Sequence, residues 1–390
     1  MRMPIRTGNA APHNFLGLLF GRWRWFSVAA ALILPPTHLV QALEILDRQP
    51  GFVNSEFIFE VAPFQECHAS TIAETKSGVV AAWFGGTKEA NPDVGVWMSR
   101  FVDGAWTQPV EVANGAETES PRRNCINPVL FQVPGGPLLL FYKTGDWWAY
   151  TKRSHDDGVT WSKPERMENG YFGPIKNKPV LLPDGSILSP SSSEFARAKP
   201  GGTPGSSNGR VHFERSVNGG KSWQFIGPVN DGIEISAIQP SILFHPGNRL
   251  QAIGRTEQGR LFETWSEDGG ISWSRLALTT LPNNDSGTDA STLRDGRHLL
   301  VYNHRTNDPG TNHAARTPLN VALSKDGRVW QAALVLENEP RREFSYPAVI
   351  QTSDGLVHVT YTWKRKKIKH IVVDPRKLVL RDLVDGEWPN

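Results

Sequence analysis

The chain has 390 residues, with 42 Lys and Arg against 39 Asp and Glu, for a net charge of +3. So even a balance, with no basic helix and no interleaving of aromatic and basic residues, argues against a nucleic-acid partner. Helical periodicity is scarce, whereas 36 Gly, 29 Pro and 14 Trp suit many tight turns and large side chains packed between sheets.

The first element in chain order is an export signal over residues 1–42. Arg2, Arg6, Arg22 and Arg24 precede the apolar stretch Trp25–Leu34, and Val40-Gln41-Ala42 offers small residues for cleavage. Pro35-Pro36 ends the apolar core too soon for a membrane span. The expectation is a periplasmic or secreted protein with no stable membrane partner after cleavage; an uncleaved signal acting as an anchor is the alternative. Export permits a disulfide. Cys67 and Cys125 are the only cysteines, and they either pair or stand as two buried thiols.

From residue 43 to 390 two repeats run out of phase. The first is an apolar segment, a turn and a second apolar segment, around Gly78, Gly136, Gly185, Gly247, Gly296 and Gly355. Each is a hairpin signal. The second follows Ser-x-Asp-x-Gly-x-Thr/Ser-Trp: Ser154–Trp161, Ser216–Trp223 (with Asn218 at the Asp position), Ser266–Trp273 and a shorter Ser324–Trp330, spaced 50 to 62 residues apart. Here the Asp or Asn bonds backbone N–H groups, Gly takes positive φ and Trp covers the turn. Between successive hairpins there is room for two more strands. The spacing therefore predicts one all-β domain over 43–390, a six-bladed β-propeller with four antiparallel strands per blade. The polar stretch 198–208 reads as a loop within blade three. The run Lys364–His370 reads as a solvated turn and strand face, or alternatively as a contact for an anionic polymer.

In a propeller the innermost strands converge on a channel, and loops at one end carry the ligand chemistry. Residues leading into the six first strands include Glu66 and His68, Arg122, Arg123 and Asn127, Lys176 and Lys178, Gln239, Asp289, and Glu343 with Tyr346. Just after the second strands come Lys143, Arg255, Arg305, Lys364 and Arg365. A centre rich in Arg and Lys with interspersed carboxylates suits an acidic glycan or oligosaccharide better than an apolar ligand. Trp83, Trp97, Trp147 and Trp148 read as blade packing, with Trp147-Trp148 also able to form a stacking platform for a sugar. No His or Cys cluster has transition-metal spacing and no phosphate-cradling loop is present, so no cofactor is implied; loop carboxylates leave a structural Ca²⁺ open.

The Ser-x-Asp-x-Gly-x-Thr-Trp repeats resemble the Asp-boxes, or BNR repeats, of the sialidase (neuraminidase) superfamily, from about residue 57 to the C-terminus. The Glu66-Cys67-His68-Ala69-Ser70-Thr71 opening looks most like the bacterial "predicted neuraminidase" group. The resemblance implies an exo-glycosidase that removes a terminal acidic sugar with an arginine clamp for its carboxylate, a Tyr nucleophile paired with a Glu, and an Asp acid/base. Carried over residue by residue, Arg255 resembles the second clamp arginine, Arg316 the third, and Tyr346 the nucleophile, with Glu343 or Asp289 as its carboxylate. The Phe-Arg-Ile-Pro motif of the first clamp arginine is absent, and Gln239 stands where the family places a Glu. The expected catalytic set is Tyr346, His68, Asp289 and Glu66. The expected substrate-binding set is Arg255, Arg316, Arg305, Arg123, Asn127 and Lys178. His68 at the channel mouth suits general acid/base work near neutral pH. The resemblance to related-looking propellers with an axial His and Tyr implies one alternative, a lyase or rhamnosyl-glucuronate hydrolase acting on uronate glycans; a glycan-binding propeller without turnover is the other.

Overall fold

The computed structural model describes residues 46–389 except 119, 146, 196–207 and 309–314. The expected signal segment 1–42, and residues 198–207 of the loop expected in blade three, lie outside the described residues.

Six antiparallel sheets fan around one axis, as the repeat spacing predicts. The innermost strands are Glu66–Thr75, Cys125–Gln132, Val180–Leu181, Ala237–His245, Asp289–Thr292 and Phe344–Gln351, one for each of blades one to six. Blade six takes its outermost strand from the other end of the chain. Phe52–Phe57 pairs antiparallel with Lys367–Val373 and so closes the ring. Blade five gains the edge strand Arg381–Asp382 beside Trp330–Glu337.

The Asp-boxes sit where the third strand of a blade turns into the fourth. In blade two the Ser154 Oγ accepts from Gly158 N at 2.8 Å and Asp156 accepts from Thr160 N and Thr160 Oγ1, at 2.8 and 2.6 Å. Blade four repeats this with Ser266, Gly270, Asp268 and Ser272. These bonds favour the carboxylates, and the Thr160 hydroxyl and Ser272 hydroxyl lead in bringing Asp156 and Asp268 down to about 2. The box Trp packs backward onto the preceding blade. Trp273 stacks on Phe213 at 3.9 Å, and Trp223 meets Phe141 edge-on at 6.1 Å. The same local sequence thus makes a turn and fastens two blades.

Four inner strands carry a bulge near the channel mouth. The ladder skips between His68 and Thr71, Ile126 and Val129, Ile238 and Ser241, and Ser345 and Ala348. At each skip one non-glycine residue has positive φ: Ala69, Asn127, Gln239 and Tyr346. Proline follows in three of the four, where an interrupted ladder asks for no N–H donor. A bulge re-aims a side chain, and these turn Asn127, Gln239 and Tyr346 out of the strand alternation.

The basic run near the C-terminus is not a free solvated face. Lys364 pairs with Glu339, Arg365 with Glu89 and Glu343, Lys367 with Glu60 and Lys369 with Glu337, while Lys366 donates to the Gln65 carbonyl. The partners come from distant stretches of chain, which a local charge run does not reveal. Cys67 and Cys125 are both buried and form no disulfide, so the pairing alternative falls away.

Candidate functional site

Tyr346 opens the inner strand of blade six and is held in the left-handed region at φ 51°. Such a backbone is costly for an aromatic residue and persists only where the surroundings enforce it. Its hydroxyl accepts from Arg255 Nη2 at 3.0 Å. The Arg255 and Arg316 guanidiniums lie 5.4 and 5.2 Å from its ring centroid, and Lys176 Nζ lies at 5.9 Å. Three cations from three blades therefore surround one phenol.

His68 packs against the same ring, centroids 4.2 Å apart. Its Nδ1 meets Thr362 Oγ1 at 3.0 Å, and that oxygen also accepts from Ala69 N. Thr362 Oγ1 has a second lone pair to accept a proton from Nδ1, and in that tautomer the neutral imidazole leaves Nε2 unprotonated. Burial, then the nearby Arg365, Arg316, Arg255 and Lys176 charges, push His68 well below the usual histidine range, so it is neutral at neutral pH. Glu343 completes the cluster. Its Oε1 accepts from Arg365 Nε at 2.9 Å, Ser345 Oγ at 2.9 Å and Arg316 Nη1 at 3.2 Å, and lies 3.9 Å from His68 Nδ1.

Arg255 donates from Nη1 to the Asp285 carbonyl at 2.6 Å, while its Nε is buried without a partner. Burial weighs against its charge, but Tyr346, Asp285 and Glu194 outweigh this and keep it protonated. Glu194, at the site end of blade three's second strand, is pushed up by burial against the opposing pull of Arg255. It is a half-buried carboxyl whose proton affinity is raised despite a nearby guanidinium. Gln239 Oε1, Ser286 Oγ and Thr288 Oγ1 are also buried and unpartnered.

Tyr346, His68, Arg255 and Arg316 thus come together as the sequence implies, and Asn127 sits buried on a bulge of the neighbouring blade two. Other expected members do not join them. Asp289 is only 2% exposed, and its oxygens are engaged by Lys178 Nζ, Ser241 Oγ and the Val349 amide. Asp289 and Lys178 line a cavity of about 290 Å³ with Ile72, Leu130, Phe244 and Gln351. Because inner strands run from the mouth inward, Glu74, Gln132 and Gln351 at their far ends mark this cavity as the opposite end of the channel. Arg305 pairs with Asp308 on an outer loop, and Arg123 is exposed ahead of blade two's inner strand. Glu66 is half-buried, with Lys366 at 3.9 Å. Trp83 is fully buried blade packing, whereas Trp147 and Trp148 are exposed after blade two's second strand, with the Arg166 guanidinium 3.6 Å from the Trp148 ring.

Glu194 was not singled out by sequence, whereas Glu343 was named as one of two partner carboxylates for Tyr346, and Lys176 and Arg365 only among the residues at the strand ends. Glu194 had one readable signal, its place at the end of a second strand, equivalent to that of Arg255. Among the described residues no group of three or more His, Cys, Asp and Glu converges to hold a metal ion.

A family model described as a BNR repeat-like domain matches residues 77–359. The chain belongs to the BNR repeat-like family. No curated protein matches it. Among solved structures this BNR propeller is similar to a Dyadobacter fermentans protein of unknown function, with TM-score 0.67 and 17% identity over 85% of this chain and all of that one. The intramolecular trans-sialidase from Ruminococcus gnavus gives TM-score 0.63 and 13% identity over 86% and 99%. The NanB sialidase from Streptococcus pneumoniae gives 0.61 and 11% over 85% and 71%. At these identities the likeness is one of fold, a sialidase-like propeller.

Proposed function

We propose that this BNR propeller is an exported sialidase-like exo-glycosidase that hydrolyses a terminal acidic sugar from a glycan. The observation that carries the reading is the Tyr346 hydroxyl bonded to Arg255 at 3.0 Å, with Arg316, His68 and Glu343 gathered around it. Guanidiniums at the mouth recognise the sugar carboxylate. The Tyr346 oxygen forms a bond to the anomeric carbon as the bond from that carbon to the departing oxygen breaks. Neutral His68 takes the phenol proton, and the Glu194 carboxyl, whose proton affinity burial raises, serves as the acid that gives a proton to the departing oxygen. Water then cleaves the glycosyl–tyrosine with the proton movements reversed. Arg255 stabilises negative charge as it develops on the Tyr346 oxygen.

The neutral His68 beside Tyr346 also favours a second reading, a uronate lyase in which His68 removes the proton next to the carboxylate and Tyr346 protonates the leaving oxygen. Incubation of the purified mature chain with sialosides, glucuronides and uronate polymers separates the readings. Release of a free saturated acidic sugar supports the hydrolase. A new ultraviolet absorbance from an unsaturated uronate supports the lyase, and binding without any product overturns both.

A further inference from the structure

Blade three is the irregular one. Its inner strand is only Val180–Leu181, and the chain ahead of it is an irregular loop with bends at residues 175–177. Two consecutive side chains of that loop, Lys176 and Asn177, are 3% and 1% exposed. Lys176 Nζ donates to the Pro347 carbonyl of blade six at 2.5 Å, to the Thr288 carbonyl beside blade five at 2.7 Å and to Asn177 Oδ1 at 2.9 Å. All three ammonium hydrogens are used. Asn177 Nδ2 donates to the Gln239 carbonyl of blade four at 2.9 Å and to Ser241 Oγ at 2.7 Å.

The acceptors are not arbitrary. Pro347 directly follows Tyr346, and Gln239 carries positive φ at the equivalent bulge of blade four. In both bulges the ladder skips these residues. Blade three therefore supplies, through two adjacent side chains, donors to carbonyls that the bulges set free. Gly287 completes the fit. A Cβ there would lie 3.1 Å from the Tyr346 ring and 3.2 Å from Lys176 Cε, so ring and lysine stem share the space a side chain would fill.

We infer that Lys176 is a positioning residue, a charged strut across the channel that holds the Tyr346 bulge in its left-handed conformation and sets the phenol against Arg255. The inference rests on the reading of Tyr346 as the reacting group, but its structural half stands without it. Burial brings Lys176 down to about 7, with Asp289 opposing this and Lys178 and Arg255 adding to it. Below that pH the strut is an ammonium; above it the donors weaken and Tyr346 is released.

Ring-¹³C tyrosine labelling tests the strut without any substrate. The Tyr346 resonance is identified by its loss in Tyr346→Phe. In the wild type it moves with pH with a midpoint near about 7. In Lys176→Met that titration disappears and the line broadens or splits. An unchanged midpoint in Lys176→Met, or one sharp unshifted line, overturns the inference. On a glycoside that the wild type turns over, Lys176→Met lowers kcat by about 10–100-fold with KM little changed, as expected for a small misplacement. Loss through KM alone contradicts it. Should Lys176→Met fail to fold, Gly287→Ala displaces ring and lysine stem while removing no charge, and the same line must shift. A positive spectrum with no turnover of any glycoside defeats the proposed function and leaves the strut standing.

Discussion

The two ends of the channel are built from the same residue types and use them differently. At the inner end Lys178 and Asp289 satisfy each other, and Ser241 and the Val349 amide take up the remaining carboxylate valence. At the mouth, Arg255, Arg316, Arg365 and Lys176 gather around Tyr346 and Glu343, and Arg255 Nε, Gln239 Oε1 and Thr288 Oγ1 are left buried without partners. A closed pair fastens blades together. An open cluster with excess positive charge keeps valence for something that is not protein.

That contrast can be broken at its strongest point first. Tyr346→Phe removes only the oxygen that Arg255 holds, and kcat on an acidic glycoside should fall by about 10³-fold or more while binding changes little. His68→Ala should lower kcat by about 10²–10⁴-fold. Because burial and the surrounding cations depress His68, the wild-type acid limb of kcat should lie below pH 6.5. A limb at or above that value would mean the imidazole is not in the environment described here.

At the closed end the expected damage is to stability. Asp289→Asn leaves Lys178 without its carboxylate and should cost about 3–5 kcal/mol, read as a drop in denaturation midpoint. A change at Asp289 that spares stability but abolishes turnover would move it back to the catalytic set.

A smaller effect concerns Lys143. It is fully buried and donates to the Phe172 and Pro174 carbonyls, and burial lowers it to about 7. Between that value and the ordinary lysine value of 10.5 the unfolded chain binds more protons. Stability should therefore rise with pH across this window, and Lys143→Met should flatten part of the rise. A melting temperature that falls steadily from pH 7 upward contradicts the assignment.

The propeller was legible because its signals are local. Ser154, Asp156, Gly158 and Thr160 form a turn from their own atoms, and that turn recurs. Tyr346, His68 and Arg255 were legible through their blade positions, and Arg316 through the resemblance of its strand to the one that carries the family's third arginine. The rest depends on register. A bulge adds one residue to a strand without changing composition, so the alternation that separates Lys176 at the mouth from Lys178 at the inner end could not be read in an irregular loop. Strand Phe52–Phe57 was missed for a related reason: its partner lies more than 300 residues away. The paired state of Lys364, Arg365 and Lys367 likewise rests on carboxylates contributed by other parts of the chain.

The most direct test is a crystal structure with an acidic monosaccharide, N-acetylneuraminic acid and glucuronic acid each being soaked. The account predicts the sugar carboxylate on Arg255 and Arg316, with the anomeric carbon facing the Tyr346 oxygen. A sugar seated instead against Lys178 at the inner end, or on the outer rim away from Tyr346, would contradict it.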